Sequence, residues 1–550
     1  MDAEVVMAVV GTLFSAILLV FTAVCAGPLW RDELNTANLA RLPTLQELWQ
    51  YSPCESFPPL WPLLLRGCDW LGLTSSDESI RLLGLFVGFL MLGSWWLCAR
   101  WMRCRAPIFS IALLGSLPAF VFIVGANRAY GLASCFLVLS FGAIWRMVES
   151  PTRARILIAA VSCFIFAHCV YYDAIFLGAM MAGAGLVTLR RRQWKTLITL
   201  AVIGAVCTVS TFIYLPIIRG GSAYVEATRW PDFTAATLWN CLCQAVTARS
   251  SSDFGPNGVE IWLWIALPLC GLAAAVAAQW TRSFSGSSQE AAFRKNKRAD
   301  LALFCAVSMT LGVLGMLGFW YWLQFLVQKW YCVEMLCLCA ISLDGLLGAN
   351  WPELRPWGLL RVGLLVVIMS WCGASGWKEA HTRRTNVDLV AAVLEANAST
   401  NDFIVVRTAW EGISFFHYYH GTTPWVTVPP MDSHLVHRND LMADCMKRPE
   451  VMAPVLSSIT NTLHDGHYVW LVGNLTRARP EDVRPPPSSK WLGTFLYYWT
   501  AQVSATVLDH ASQEQLLEIP ITEPVCSLEN LPVVRISGFT GVRTNDLPAN

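Results

Sequence analysis

Long apolar runs broken by short polar stretches fill the first two thirds of the chain, at a spacing that suits neither alternating strands nor amphipathic surface helices. A helix needs about 20 predominantly apolar residues to cross the hydrocarbon core of a bilayer. At that length the pattern predicts spans near 5–26, 79–99, 106–125, 129–146, 156–172, 174–189, 196–217, 259–280, 301–320, 328–348 and 358–375, about eleven in all. The first run is predicted to be a retained helix, since MDAE offers no basic leader and no A-x-A cleavage site follows; TAVC, Thr22 to Cys25, only loosely matches a lipoprotein box. Beyond about residue 376 the pattern changes. VDLVAAVLEAN (Val387 to Asn397) has helical spacing, while DFIVVRT (Asp402 to Thr408) and HYVWLVG (His467 to Gly473) are short β-type runs. The fold class expected is therefore an α-helical polytopic membrane protein, domain 1–375, carrying a small α/β domain over 376–550. No internal repeat is evident, and SFSGSSQ, Ser283 to Gln289, is expected to be a flexible loop.

Composition agrees: 55% of residues are hydrophobic and 14% charged, far from a soluble average. With a formal net charge of +1 and basic residues confined to short clusters, no surface suits a nucleic-acid backbone, and nucleic acid is excluded as a partner. Those clusters set direction, because Lys- and Arg-rich short loops stay cytoplasmic. Arg100, Arg103 and Arg105; Arg146, Arg153 and Arg155; Arg190 to Lys195; and Arg294 to Arg298 fall in alternate loops. One orientation satisfies all four. It puts the N-terminus in the cytoplasm, and segments 27–78, 218–258 and everything after about 376 on the exoplasmic side. The nineteen cysteines show no CxxC pair and lie mostly in apolar runs, so they do not indicate a metal cluster. Cys54 with Cys68, or Cys445 with Cys526, would be able to pair in an oxidising space, and spacing alone leaves the connectivity open.

WRDELNTANL, Trp30 to Leu39, follows the first span and brings two adjacent carboxylates, Asp32 and Glu33, to the predicted outer surface. The segment 27–78 is long and amphipathic: Leu39, Leu42, Leu45, Leu48 and Trp49 fall near one face, and FPPLWPLLLRGCDWLGL adds a second apolar stretch. Both are expected to lie on the membrane surface, with Arg41 and Arg66 meeting anionic headgroups. A carboxylate over such a surface suits general-base catalysis on a lipid-borne substrate. The leaving group would be anionic, and Arg31, Arg128, Arg219, Arg229 and Lys329 are all predicted on that side to stabilise it. The plainer alternative is that Asp32 only caps an interfacial helix.

The order of these features resembles the GT-C superfamily of integral-membrane glycosyltransferases, in particular the protein O-mannosyltransferase and aminoarabinose-transferase branch. Asp32-Glu33 resembles the acidic pair after the first span. FPPLWPLLL (Phe57 to Leu65) resembles the x-P-P-L-Y-x-L-L-L stretch, and SDESIRLLGLFVGFL (Ser76 to Leu90) the entry to the second span, with Arg81 at the arginine. GANRAYGLASCFLVLS (Gly125 to Ser140) is similar to the Arg-x-Tyr start of the fourth span, giving Arg128 and Tyr130. FLVQKWYCVEMLCLCAISLDGLL (Phe325 to Leu347) resembles the late segment usually opened by Arg-Tyr, with Lys329 near the basic position. NVDLVAAVLEANASTNDFIVV and FFHYYHG resemble the outer domain of bacterial members. The resemblance covers most of the chain. It implies inverting transfer of a sugar from a polyprenyl-phosphate donor to an acceptor, with Asp32 as catalytic base and Glu33 orienting the acceptor or tuning the base. It also explains the lack of a Rossmann fingerprint, since a sugar already on lipid phosphate needs no nucleotide-binding sheet. GAG, Gly183 to Gly185, then reads as close helix packing. Two departures stand out: Phe57 occupies the place of a Lys or His before the Pro-Pro pair, and Lys329 replaces the usual arginine, losing its bidentate fork. Phosphate binding is thus expected from Arg128, Arg219 or Lys329. Membrane lipids are implied as partners and a bacterial inner membrane as the location, with the C-terminal domain periplasmic. The acceptor stays unspecified and a divalent cation is left open.

His168, Tyr171, Tyr172 and Asp173 cluster at the outer end of the fifth predicted span, where an ionisable residue suggests function; Tyr172 and Asp173 are candidates to touch substrate. HYYH (417–420), HLVH (434–437) and HDGH (464–467) have H-x-x-H spacing without a clear third ligand, so no metal site is assigned. Most Trp residues are expected to be interfacial anchors. Asn397 and Asn474 open outer-side sequons. Two other classes compete with the transferase: a transporter or flippase of an amphipathic substrate, which would show broken helices and pseudo-symmetric halves, and an inactive scaffold with a lectin-like outer domain.

Overall fold

The protein is described here by a computed structural model covering residues 2–230, 232–247, 259–283, 289–324, 327–348, 355–448, 450–474, 478–479, 481, 483–484, 486 and 491–538. Much of the predicted loop 283–289, part of segment 218–258, Phe325 and the rest of the Asn474 sequon lie outside these residues. The chain forms two compact units: one of residues 1–25, 56–216 and 232–381, the other of residues 26–55, 217–231 and 382–550. The predicted outer segment 27–78 is thereby divided, its first half packing with the C-terminal residues.

Among the described residues nine helices are long and apolar enough to cross a membrane: α1 (Ala3–Cys25), Asp77–Met102, Ala129–Glu149, Asp173–Arg190, Trp194–Gly220, Glu260–Trp280, Asn296–Leu323, Lys329–Gly348 and Trp357–Ala380. The chain is a multi-pass membrane protein. Two of the expected spans differ. The stretch 106–125 is broken into Ile108–Leu114 and Pro118–Val124, because Pro118 has no N–H to donate and its ring drives Leu117 out of the helical region, to ψ 123°. The shorter Arg153–Ala167 has 15 residues, about 22 Å at 1.5 Å per residue. It ends at His168, whose Nδ1 pairs with the Tyr214 hydroxyl at 2.6 Å and Nε2 with Ser210 at 3.0 Å.

Helix Ala129–Glu149 is buried on almost every side, and Val333–Leu343 on all, as expected of apolar helices inside a bundle. The outer helices instead expose apolar faces, for example Leu157, Ile198, Val276 and Val367. The four basic clusters meet at one end of the helical unit. Glu149 pairs with Arg146 at 2.6 Å, Arg103 at 2.7 Å and Lys297 at 3.6 Å, and Asp300 with Arg191 at 2.7 Å. Arg105 reaches Asp2 at 2.7 Å, so the N-terminus shares that end.

The second unit opens with α2 (Arg31–Ala40) and α3 (Leu45–Tyr51); the helical unit contributes α4 (Leu60–Trp70) and α5 (Asp77–Met102). The apolar face expected to rest on lipid is covered by protein: Leu39, Leu42 and Leu48 bury Val436 between them, and Leu45 alone stays exposed. In α4, by contrast, Leu63, Leu64 and Trp70 are exposed. The C-terminal residues form a five-stranded sheet of order β2-β1-β3-β5-β4, from β1 (Phe403–Val406), β2 (Trp425–Thr427), β3 (Tyr468–Val472), β4 (Ala511–Leu517) and β5 (Val533–Gly538). β1 runs parallel to β2 and β3, and β5 antiparallel to β3 and β4. Strand alternation sends Val405, Val469 and Leu471 to one face, under Ile459, Leu463 and Trp499. Ile404, Val406, Trp470 and Val472 go to the other, under Val387, Val390 and Phe415. Both faces are covered, as parallel strands require. All nineteen cysteines are free thiols, Cys54, Cys68, Cys445 and Cys526 included.

Close packing in the helical unit yields a test. A Cβ on Gly84 of α5 would come within 2.1 Å of the Gly125 carbonyl oxygen, whereas one on Gly93 of the same helix meets nothing within 4 Å. Gly84→Ala is expected to cost about 1–3 kcal/mol of stability. Gly93→Ala should be neutral or slightly stabilising, through the better helix propensity of alanine. Thermal unfolding of the purified protein in detergent separates the two; equal melting temperatures would contradict this packing.

Candidate functional site

The first turn of α2 presents the acidic pair. Gly27, at φ +68°, turns the chain before the helix, and a side chain there would meet Arg383. Acids in a first helical turn face the positive end of the helix dipole. Successive helical residues point about 100° apart, so the two carboxylates enter different surroundings. Glu33 is fully buried, its Oε2 accepting the Trp30 backbone N–H at 3.5 Å. Asp32 keeps 19% of its side chain exposed, with Oδ1 3.3 Å from Nε2 of His437 and 3.6 Å from Nε of Arg31.

One face of α2 holds the segment carrying that histidine. Asn35 Oδ1 accepts the His437 backbone N–H at 2.7 Å, Asn38 Nδ2 donates to the Leu435 carbonyl at 2.8 Å, and Leu39 and Leu42 pack on Val436. The Asn35 amide is oriented from behind: its Nδ2 donates to the buried Glu55 carboxylate at 2.7 Å, which also accepts Thr36 Oγ1 at 3.1 Å. A carboxylate only accepts, so the oxygen of Asn35 must face His437.

Arg31 sits among carboxylates. Its backbone N–H donates to Glu529 Oε2 at 3.3 Å, and Ser414 donates to Glu529 Oε1 at 2.7 Å. Burial lowers the Arg31 pKa, but Asp32, Glu529 and Glu411 outweigh it and hold the guanidinium above its ordinary value. Burial pushes Glu529 up to about 7, with Arg31, Ser414 and Thr385 pulling it down less strongly. Glu411 is also raised, by burial against Arg31 and Arg407.

In the helical unit a second set of predicted residues comes together. Arg128, nearly buried, donates to Ser56 Oγ at 3.1 Å and lies 4.6 Å over the Phe57 ring; Ser56 also meets the Tyr130 hydroxyl at 3.1 Å. Tyr130 packs on Tyr331 at 5.8 Å, whose carbonyl accepts the Tyr172 hydroxyl at 3.5 Å. Lys329 Nζ sits 4.7 Å over Phe122 and 3.7 Å from Glu379 Oε2. Asp173 is fully buried and accepts the Val170 N–H at 2.8 Å, a helix-start contact. Arg219 belongs to the second unit, where it is exposed.

His437, Ser56 and Glu379 were not anticipated. HLVH was weighed only for a metal, and nothing local to Ser56 or Glu379 distinguishes them. His434 turns away from its neighbour, stacking on Trp425 at 4.6 Å. Among the described residues no group of three or more His, Cys, Asp or Glu is arranged to hold a metal ion, so no residue is assigned to a cation.

No family model matches the chain, and no curated protein matches it. Solved structures similar to it include ArnT from Cupriavidus metallidurans bound to undecaprenyl phosphate, at 14% identity and TM-score 0.34, and the same protein in the apo state, at 14% and 0.36. Each comparison covers 95% of this chain and 97% of that one.

The Glu529 environment predicts a pH dependence. The folded chain keeps this proton to about 7, above the ordinary carboxylate value. The group therefore favours the folded state fully below that ordinary value, and the contribution is lost as pH rises through about 7. Glu411 acts in the same direction. The melting temperature of the purified protein should fall between about pH 5 and 8, and Glu529→Gln, neutral throughout, should flatten the fall. An unchanged slope in that variant would refute the assignment.

Proposed function

We propose that the protein is an inverting glycosyltransferase that moves a sugar from a polyprenyl-phosphate carrier to an acceptor hydroxyl on the exoplasmic face of the membrane. The observation that carries this reading is Asp32: a part-exposed carboxylate in the first turn of the helix after the first apolar span, held by His437 and Arg31 while its neighbour Glu33 is buried. In the proposed step the acceptor oxygen attacks the anomeric carbon and its proton passes to Asp32. The bond from that carbon to the phosphate oxygen breaks, and its electron pair leaves with the polyprenyl phosphate. By the motif resemblance alone, Arg128 and Lys329 are assigned to the charge of the donor phosphate, and Tyr130 and Tyr172 to its hydrogen bonding. Glu33 acts through α2, by fixing the turn that presents Asp32.

The convergence of the four basic clusters and the N-terminus at one end of the helical unit supports a cytoplasmic assignment for that end. Residues 376–550 then belong to the periplasm of a bacterial inner membrane. Membranes containing the protein, given radiolabelled polyprenyl-phosphate sugars and their own acceptors, test the reading directly. Asp32→Asn is expected to lower transfer by at least about a hundredfold, and Arg128→Ala or Lys329→Ala to raise KM for the donor. Full transfer by Asp32→Asn would remove the base assignment.

A further inference from the structure

Nothing in the chain's local pattern connects residue 437 to residue 32, yet a whole face of α2 is used to bring them together. Asp32, Asn35, Asn38 and Leu39 follow helical i, i+3 and i+4 spacing, and Leu42 comes just past the helix end. Each meets the segment 435–437: the Asp32 carboxylate the imidazole, Asn35 the His437 N–H, Asn38 the Leu435 carbonyl, and the two leucines Val436. The imidazole is thus fixed at its backbone and at Nε2, with a side chain only 10% exposed. A carboxylate accepts and cannot donate, so the hydrogen lies on Nε2. Among the described residues Nδ1 is buried and meets no hydrogen-bond partner, which suits the neutral ring with a bare Nδ1.

Resting on the reading of Asp32 as the base, we propose that His437 is its positioning residue: the Nε2–H holds Oδ1, fixes the carboxylate rotamer and directs Oδ2 to the acceptor hydroxyl. Arg31 Nε approaches the same Oδ1, at 3.6 Å, so both neighbours restrain one oxygen. When the acceptor oxygen bonds to the anomeric carbon, its proton goes to Oδ2 and the sugar–phosphate bond breaks toward the phosphate. His437 neither gains nor loses a proton in this step. Its part is geometric, and a carboxylate displaced by about 1 Å loses about a hundredfold in rate.

Two measurements test this, and they fail separately. The first needs no substrate. The full chain, labelled with 15N-histidine and reconstituted in lipid, is examined by solid-state NMR, with His437→Gln giving the assignment. The expected signature is a neutral ring protonated at Nε2, whose Nε2 signal shifts in Asp32→Ala. A His437 spectrum indifferent to Asp32→Ala overturns the contact. The second is steady-state transfer from radiolabelled polyprenyl-phosphate sugars. His437→Ala is expected to lower kcat by about ten- to a hundredfold with donor KM unchanged. His437→Gln, whose amide can donate to the same oxygen, recovers most of the rate, and His437→Ala adds little on top of Asp32→Asn. Wild-type kcat in His437→Ala overturns the positioning role. Full transfer in Asp32→Asn, with the NMR contact intact, overturns the base itself.

Discussion

One guanidinium organises the start of the second unit. Arg31 is largely shielded from water, and its backbone N–H reaches Glu529, 498 positions later in the chain. A buried cation without partners would cost several kcal/mol, and three carboxylates, Asp32, Glu411 and Glu529, surround this one. Even with Arg407 also beside Glu411, three carboxylates outnumber the cations here. Burial therefore drives Glu529 and Glu411 toward their neutral forms, while the more exposed Asp32 faces solvent and His437. The same cluster that ties α2 to the C-terminal residues also sorts which acid there stays available.

The helical unit treats its polar groups differently. Asp344 has no exposed surface and closes the N-terminus of Ile108–Leu114, accepting the Phe109 N–H at 2.8 Å and the Ser110 hydroxyl at 2.6 Å. Glu149 and Asp300 gather the basic clusters at one end. These carboxylates satisfy backbone or neutralise charge and so are used up by the fold. Arg128 differs in its setting: it rests on the face of Phe57 and donates to Ser56 Oγ.

Hydropathy made most of the spans legible, because the period and length of an apolar helix are local properties. Short runs of β-branched and aromatic residues did the same for Phe403–Val406 and Tyr468–Val472. What the sequence hid was context. The leucines of α2 and the segment after it look alike whether lipid or protein covers them, and Val436 settles the matter nearly 400 residues away. Pro118 breaks the stretch 106–125, and the hydropathy average across it conceals a single residue's veto. In the candidate site Asp32, Arg128 and Lys329 stand out in the sequence as charges next to apolar runs, and Tyr130 only through the motif resemblance. His437, Glu529 and Glu411 do not, since each matters only through a partner hundreds of positions distant.

A lysine and an arginine would behave differently in the surroundings of position 329. Lys329 stands 3.7 Å from Glu379, so a donor phosphate would replace one carboxylate by another anion at the same ammonium. Such an exchange changes the local charge balance little, and the cost falls mainly on the geometry of the contact. An arginine gripping a carboxylate through two parallel hydrogen bonds would surrender both and re-form them around a differently shaped anion. A lysine offers a point charge on a flexible stem, and swinging from Glu379 to a phosphate requires only torsions of that stem. With Phe122 beneath it the ammonium also keeps an attractive aromatic face throughout the move. In the proposed reaction the loss of the fork would be matched by ease of exchange, as binding and release of a charged carrier would require.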